Sequence, residues 1–128
     1  VDVQVLRQRL SPLEIAMRFF HAEEYQWLSA LSADDQQYYF YRLWSAKEAV
    51  LKAAGVGIGA SGLKDIVFQS PSKKSREEPL RMDLSTSIDC FHAFQLLEFF
   101  WLPDCAFSLV VCGDASQLQT FHWQGKWV

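Results

Sequence analysis

The sequence lacks the signs of a membrane, secreted or nucleic-acid-binding protein. None of its apolar runs approaches the roughly 20 residues that a membrane-spanning helix needs, and its first residues do not have the pattern of a signal peptide. The net charge of −3 argues against general binding to nucleic acid. We therefore expect a cytoplasmic protein with neither a membrane nor a nucleic acid as its partner.

Cysteine is scarce and poorly placed for a disulfide framework or a metal centre. Cys90, Cys105 and Cys112 are odd in number and show no CxxC spacing. Buried free thiols in a reducing compartment are the expected state. His21-Ala22-Glu23 matches part of the zinc-deaminase signature, but no Pro-Cys-x-x-Cys follows it, so zinc is not expected there.

The common phosphate-binding loops are also absent. The stretch from Gly55 to Gly62 is rich in glycine but lacks the Lys-Ser or Lys-Thr pair of a P-loop. It follows a predicted helix, whereas a dinucleotide-binding fingerprint opens one. This stretch is therefore interpreted as a flexible turn.

What the sequence does contain is enough apolar material for one domain spanning residues 1–128. Half of the residues are hydrophobic and 15% are aromatic. The patterns predict two short helices, beginning at Ser11-Pro12 and at His21, before a longer one. Strands are predicted at residues 1–6, 64–69, 80–84, 91–101 and 105–112, the last two forming a hairpin.

A long helix from Asp34 to Gly55 is the strongest structural prediction. Ser32, with Asp35 three residues later, makes a capping-box-like start, and Gly55 suits the position after the end of the helix. No proline or glycine interrupts the stretch between them. Apolar residues occur around its whole circumference, which is typical of a helix that is mostly buried.

One face of this helix carries Trp44, Glu48 and Lys52 at i, i+4 and i+8. The spacing allows two interpretations. Glu48 and Lys52 can form a solvated pair that adds about 0.2–0.5 kcal/mol to helix stability. Alternatively, the carboxylate and the ammonium point into a cleft, where they could bind a metal ion and a phosphate.

The first residues alternate apolar and polar, as expected for a strand with two unlike faces. Val1, Val3 and Val5 are predicted to face the core, and Asp2 and Gln4 to share the opposite face. By this pattern alone Asp2 could equally be an exposed charge at the edge of a sheet.

Two motifs resemble those of the 4′-phosphopantetheinyl transferases. Trp44-Ser45-Ala46-Lys47-Glu48-Ala49-Val50-Leu51-Lys52 resembles the signature helix Trp-Ser/Thr-x-Lys-Glu-Ala-x-x-Lys, and Val1-Asp2-Val3-Gln4 resembles the strand motif Gly-Ile/Val-Asp-Ile/Val-Glu. The resemblance implies an α+β fold in which a small antiparallel sheet packs against the long central helix. Trp44, where the short class of the family usually has Phe, favours the C-terminal half of the two-lobed, surfactin-synthetase-activating class. We therefore expect a piece of a longer pseudo-dimeric enzyme, whose N-terminal half supplies much of the coenzyme A pocket.

The resemblance also implies an activity. Members of the family transfer the 4′-phosphopantetheine arm of coenzyme A to a serine of an acyl or peptidyl carrier protein in fatty acid, polyketide or nonribosomal peptide biosynthesis. Asp2 and Glu48 would bind Mg²⁺, and Glu48 is the candidate base. Gln4 stands where the family often has Glu, so it is either a weak metal ligand or orients a water on the metal.

The resemblance also implies roles at the coenzyme A site for three residues of the long helix. By resemblance, Lys52 would approach the pyrophosphate of coenzyme A and act in catalysis, and Lys47 would contact a phosphate or the carrier side. Trp44 would be a core anchor beside the site.

Alternatives to this enzyme remain open at this point. The chain could be a non-catalytic domain that binds carrier proteins, as Gln4 would allow, or a short-class enzyme that works as a trimer. A basic group, Arg7, Arg9 and Arg18, could either be simply solvated or meet an acidic carrier protein.

Overall fold

The computed structural model describes residues 1–5, 11–56, 62–72, 75–83, 86–87, 93–99 and 105–113. The elements in chain order are β1 (Asp2–Val5), α1 (Pro12–Phe19), α2 (Ala22–Ser29), α3 (Ala33–Ala54), α4 (Gly62–Asp65), β2 (Phe94–Phe99) and β3 (Cys105–Cys112). Within these residues, no helix has the length and apolar character to cross a membrane.

The three strands form an antiparallel sheet in the order β1-β3-β2. β2 and β3 pair with Leu97 opposite Leu109, and β1 lies along the other side of β3 with Gln4 opposite Ala106. The predicted hairpin and α+β fold class are confirmed, with α3 packed against β1, β2 and β3.

Helix α3 has the termini that its sequence predicts. Ser32 Oγ accepts a hydrogen bond from the Asp35 backbone N–H at 3.3 Å, and Gly55 adopts the left-handed conformation with φ of 69°. Leu43 and Val50 are among the side chains of α3 that are fully buried. The helix is therefore the centre of the core and a fixed reference for the strands.

The predicted orientation of β1 is wrong. Val1, Val3 and Val5 are 57%, 47% and 50% exposed, whereas Asp2 is 6% exposed and faces α3. Alternation separates the two faces of a strand but does not say which face is inward. Here the polar face turns inward because α3 offers partners for the Asp2 carboxylate.

The prediction of a strand at residues 64–69 is also wrong. Its first part continues α4, and only Phe68 pairs as an isolated bridge, with Met82 of the predicted strand at residues 80–84. Two backbone hydrogen bonds flank this bridge, from the N–H of Gln69 to the Arg81 carbonyl oxygen and from the N–H of Asp83 to that of Val67. Side chains accept the other N–H groups: Val67 donates to Thr86 Oγ1, and Phe68 donates to Glu24 Oε1.

Two smaller predictions can be compared with the structure. The prediction of buried thiols is wrong for Cys112, which is exposed, and Cys105 is half-buried. Cys90, Arg7, Arg9 and the turn of the hairpin lie outside the described residues, and Arg18 is exposed.

Candidate functional site

Two carboxylates from separate elements converge on one ammonium group. Lys52 Nζ lies 2.7 Å from Asp2 Oδ1 and 4.0 Å from Glu48 Oε2. It also donates to the carbonyl oxygen of Val1 at 3.2 Å. The Asp2 and Glu48 side chains are 6% and 13% exposed, whereas that of Lys52 is 49% exposed. The site is thus a partly enclosed acidic pair with a cation at its solvent side.

Gln4 lies beside this pair, on the same face of β1 as Asp2. Its Nε2 donates to Asp2 Oδ2 at 2.9 Å, so the amide is already engaged with a site carboxylate. Trp44, one turn before Glu48, packs against Phe20 and Phe40 at ring-centroid distances of 6.1 and 5.8 Å. A mostly apolar cavity of about 200 Å³ opens next to Gln4 and Trp44. It is lined by Gln4, Ile15, Phe40, Tyr41 and Trp44.

The electrostatics of the site depend on the closeness of the two carboxylates. Burial raises the pKa of Glu48, and the negative charge of Asp2 raises it further, while the Trp44 side chain and Lys52 oppose the shift. The hydrogen bond to Asp2 raises the pKa of Lys52. The pair therefore favours the binding of positive charge.

Ser45 fixes the strand on the helix, and sequence reasoning did not single it out. Its hydroxyl is fully buried and lies 3.1 Å from the carbonyl oxygen of Asp2 and 3.4 Å from that of Ala106, so it can donate its one hydrogen to either strand. A hydroxyl in the apolar surroundings of α3 was the available signal, because a buried hydroxyl requires a partner.

Lys47 lies outside this group. Its ammonium is fully buried, pairs with Glu24 Oε2 at 2.7 Å, and donates to the carbonyl oxygens of Leu63 and Ile66. Its side chain has no exposed surface, so the structure shows Lys47 in a structural ion pair, and the expected cofactor contact stays a prediction. Burial lowers its pKa and raises that of Glu24.

Glu24 was also missed by sequence reasoning. It closes a capping box at the start of α2, where Oε2 accepts from the His21 N–H at 3.1 Å, and Oε1 accepts from the N–H of Phe68. The capping pattern could have identified its first role. Its pairing with Lys47 could not be read from the sequence, because the two residues lie on different helices.

The donor atoms of the acidic pair suit a hard divalent cation. Among the described residues, no group of three or more His, Cys, Asp or Glu side chains could hold a metal ion. A metal ion here would be held by the two carboxylates, Asp2 and Glu48, with the amide oxygen of Gln4 beside them. Mg²⁺ is commonly held by one or two carboxylates, with waters and substrate phosphates completing its shell. The residues present therefore fit magnesium.

A sequence model described as the 4′-phosphopantetheinyl transferase superfamily matches residues 1–94. The chain belongs to this superfamily. It is 31% identical to the 4′-phosphopantetheinyl transferase HetI of Nostoc sp. over 96% of this chain and 47% of HetI. No solved structure gives a significant match.

Two further relatives match over a shorter stretch of this chain. The identity is 41% to the 4′-phosphopantetheinyl transferase Sfp of Bacillus subtilis, over 45% of this chain and 26% of Sfp. It is 43% to a holo-[acyl-carrier-protein] synthase of Streptococcus suis, over 40% of this chain and 43% of that protein. The chain therefore spans about half the length of these relatives, or less.

Proposed function

We propose that this transferase chain provides the metal- and phosphate-binding part of an enzyme that moves 4′-phosphopantetheine from coenzyme A to a carrier-protein serine. The serine oxygen forms a bond to the phosphorus that bears the pantetheine arm. The pyrophosphate P–O bond breaks, and adenosine 3′,5′-bisphosphate leaves. The observation that carries the proposal is the convergence of Asp2 and Glu48 on Lys52 Nζ.

Each site residue has a role in this reaction. Asp2 and Glu48, assisted by Gln4, would hold Mg²⁺, which when bound neutralises charge on the pyrophosphate. Lys52 is half-exposed and can bind phosphate oxygens. Glu48 is the candidate acceptor of the serine proton, either directly or through a water on the metal. Trp44 supports the wall beside Glu48.

The domain organisation is the next part of the proposal. Since the chain matches 47% of HetI, we propose that residues 1–128 form one domain equivalent to the C-terminal half of a two-lobed enzyme. The match to a holo-[acyl-carrier-protein] synthase keeps a second arrangement open, in which copies of one short chain share sites. Light scattering of the purified full-length protein distinguishes a monomer from a trimer.

The test is the Glu48→Gln variant of the full-length protein, assayed for the mass increase of acyl and peptidyl carrier proteins. Loss of the carboxylate is expected to lower the rate about 100-fold or more. Glu23→Gln is the matched control, because Glu23 is exposed on α2 and away from the site contacts described above. Undiminished transfer by Glu48→Gln would refute the role of Glu48.

A non-catalytic carrier-binding domain is the second candidate, and the neutral Gln4 is the observation that favours it. This function requires carrier binding without binding of coenzyme A. Calorimetry with coenzyme A, with and without Mg²⁺, separates the two functions, since magnesium-dependent binding supports the transferase.

A further inference from the structure

The position of the Lys52 ammonium has a consequence beyond phosphate binding. Its nitrogen contacts Asp2 Oδ1 and the Val1 carbonyl oxygen and lies 4.0 Å from Glu48 Oε2. These are the oxygen types that hold hard cations in proteins. The ammonium therefore occupies the side of the acidic pair at which a metal ion would meet both Asp2 and Glu48.

Two neighbouring carboxylates that are this well buried repel each other unless a cation accompanies them. Lys52 provides that positive charge. The Lys52 ammonium can also move away from the carboxylates, because the side chain is half-exposed and has a flexible aliphatic stem. Lys47 on the same helix has no such freedom, since its side chain is fully buried and ion-paired with Glu24.

We propose that Lys52 is a displaceable counter-ion that competes with Mg²⁺ for Asp2 and couples metal binding to coenzyme A binding. The inference rests on the proposed function. Magnesium alone must displace the ammonium from Asp2 into solvent, so the ion pair opposes its binding. With coenzyme A present, the displaced ammonium gains the pyrophosphate as a new partner, and both ligands bind more tightly together.

Calorimetric titration of Mg²⁺ into the full-length protein, without coenzyme A, tests the competition. Lys52→Met keeps the length of the side chain and removes its charge. We expect this variant to bind Mg²⁺ alone about fivefold more tightly than the unmodified protein, while the gain in Mg²⁺ affinity on adding coenzyme A falls by a similar factor. Lys52→Arg, which keeps the charge, should remain close to the unmodified protein. Lys64→Met is the control, because Lys64 is exposed on α4.

Thermal melting gives a second measurement that does not depend on activity. Mg²⁺ alone should raise the melting temperature of Lys52→Met more than that of the unmodified protein, because it replaces the missing counter-ion. Unchanged or weaker binding of Mg²⁺ by folded Lys52→Met would overturn the inference while leaving the transferase proposal intact. If the unmodified protein binds no Mg²⁺ even with coenzyme A, this inference and the transferase proposal are both contradicted.

Discussion

Lys47 and Lys52 lie five residues apart on the same helix, yet the structure uses them in opposite ways. Lys47 is enclosed by Glu24 and two carbonyl oxygens and has no exposed surface. Lys52 is half-exposed and faces two carboxylates. A lysine in a family motif is therefore not by itself a ligand-binding residue. The solvent exposure of its ammonium and the residues that pair with it determine its role.

The largest difference between the two lysines should appear in stability. Lys47→Met leaves the Glu24 carboxylate buried without its partner, and breaking a buried pair in this way costs about 3–5 kcal/mol. Urea unfolding of the full-length protein measures the loss. Glu24→Gln tests the same pair from the other side, and Lys52→Met provides the comparison. If Lys47→Met costs no more than Lys52→Met, the buried pair does not hold the helices together.

Ser45 sharpens the comparison, because it fixes the strand that carries the partner of Lys52. Ser45→Ala leaves the Asp2 and Ala106 carbonyl oxygens without this donor and should cost about 1–3 kcal/mol. It should also raise the Mg²⁺ concentration needed for half-maximal transfer. Ser45→Thr keeps the hydroxyl and should restore the magnesium requirement. A stability loss with an unchanged magnesium requirement would limit Ser45 to a packing role.

Glu48 should contribute a pH dependence with a definite sign. Its folded pKa is raised above 4.5, so the folded state holds the proton more tightly than the unfolded state. The resulting stability is present below the unfolded pKa and is lost as pH rises through the folded pKa. Glu48→Gln should therefore be more stable than the unmodified protein at pH 7, and the difference should shrink towards pH 4. Melting curves across this range would show a constant difference if the shift were absent.

The smallest expected effect is the coupling between Lys52 and Asp2. A double-mutant cycle with Lys52→Met and Asp2→Asn should give at most about 1 kcal/mol, because half of the lysine side chain is solvated. Added salt should reduce it, since exposed charges are screened. The equivalent cycle for Lys47 and Glu24 should be larger and nearly independent of salt. Equal salt dependence of the two cycles would contradict the contrast in burial.

The sequence predicted the parts of the fold that local chemistry determines. The bounds of α3 follow from Ser32, Asp35 and Gly55, whose effects extend over one helical turn. The hairpin follows from two apolar runs around a turn. Helical spacing alone places Glu48 and Lys52 on one face. Asp2 was predicted to join them because Val1-Asp2-Val3-Gln4 resembles the strand motif of the family.

The parts that were missed depend on contacts between distant segments. Which face of β1 points inward depends on Ser45 and Lys52, more than 40 residues away. The segment around Phe68 has a strand-like composition, but its N–H groups at Val67 and Phe68 donate to Thr86 and Glu24, which leaves only a short backbone pairing with residues 81–83. The burial of Lys47 depends on Glu24 from another helix. Spacing within one element contains none of this information.

β1 has only four residues and, in the described part of the chain, a hydrogen-bonded neighbour on one side. Such a strand can detach locally while the core around α3 remains packed. Detachment would carry Asp2 and Gln4 away together and leave Glu48 alone on the helix. The proposed magnesium site therefore depends on a short edge segment, and its two carboxylates can separate while the rest of the molecule stays folded.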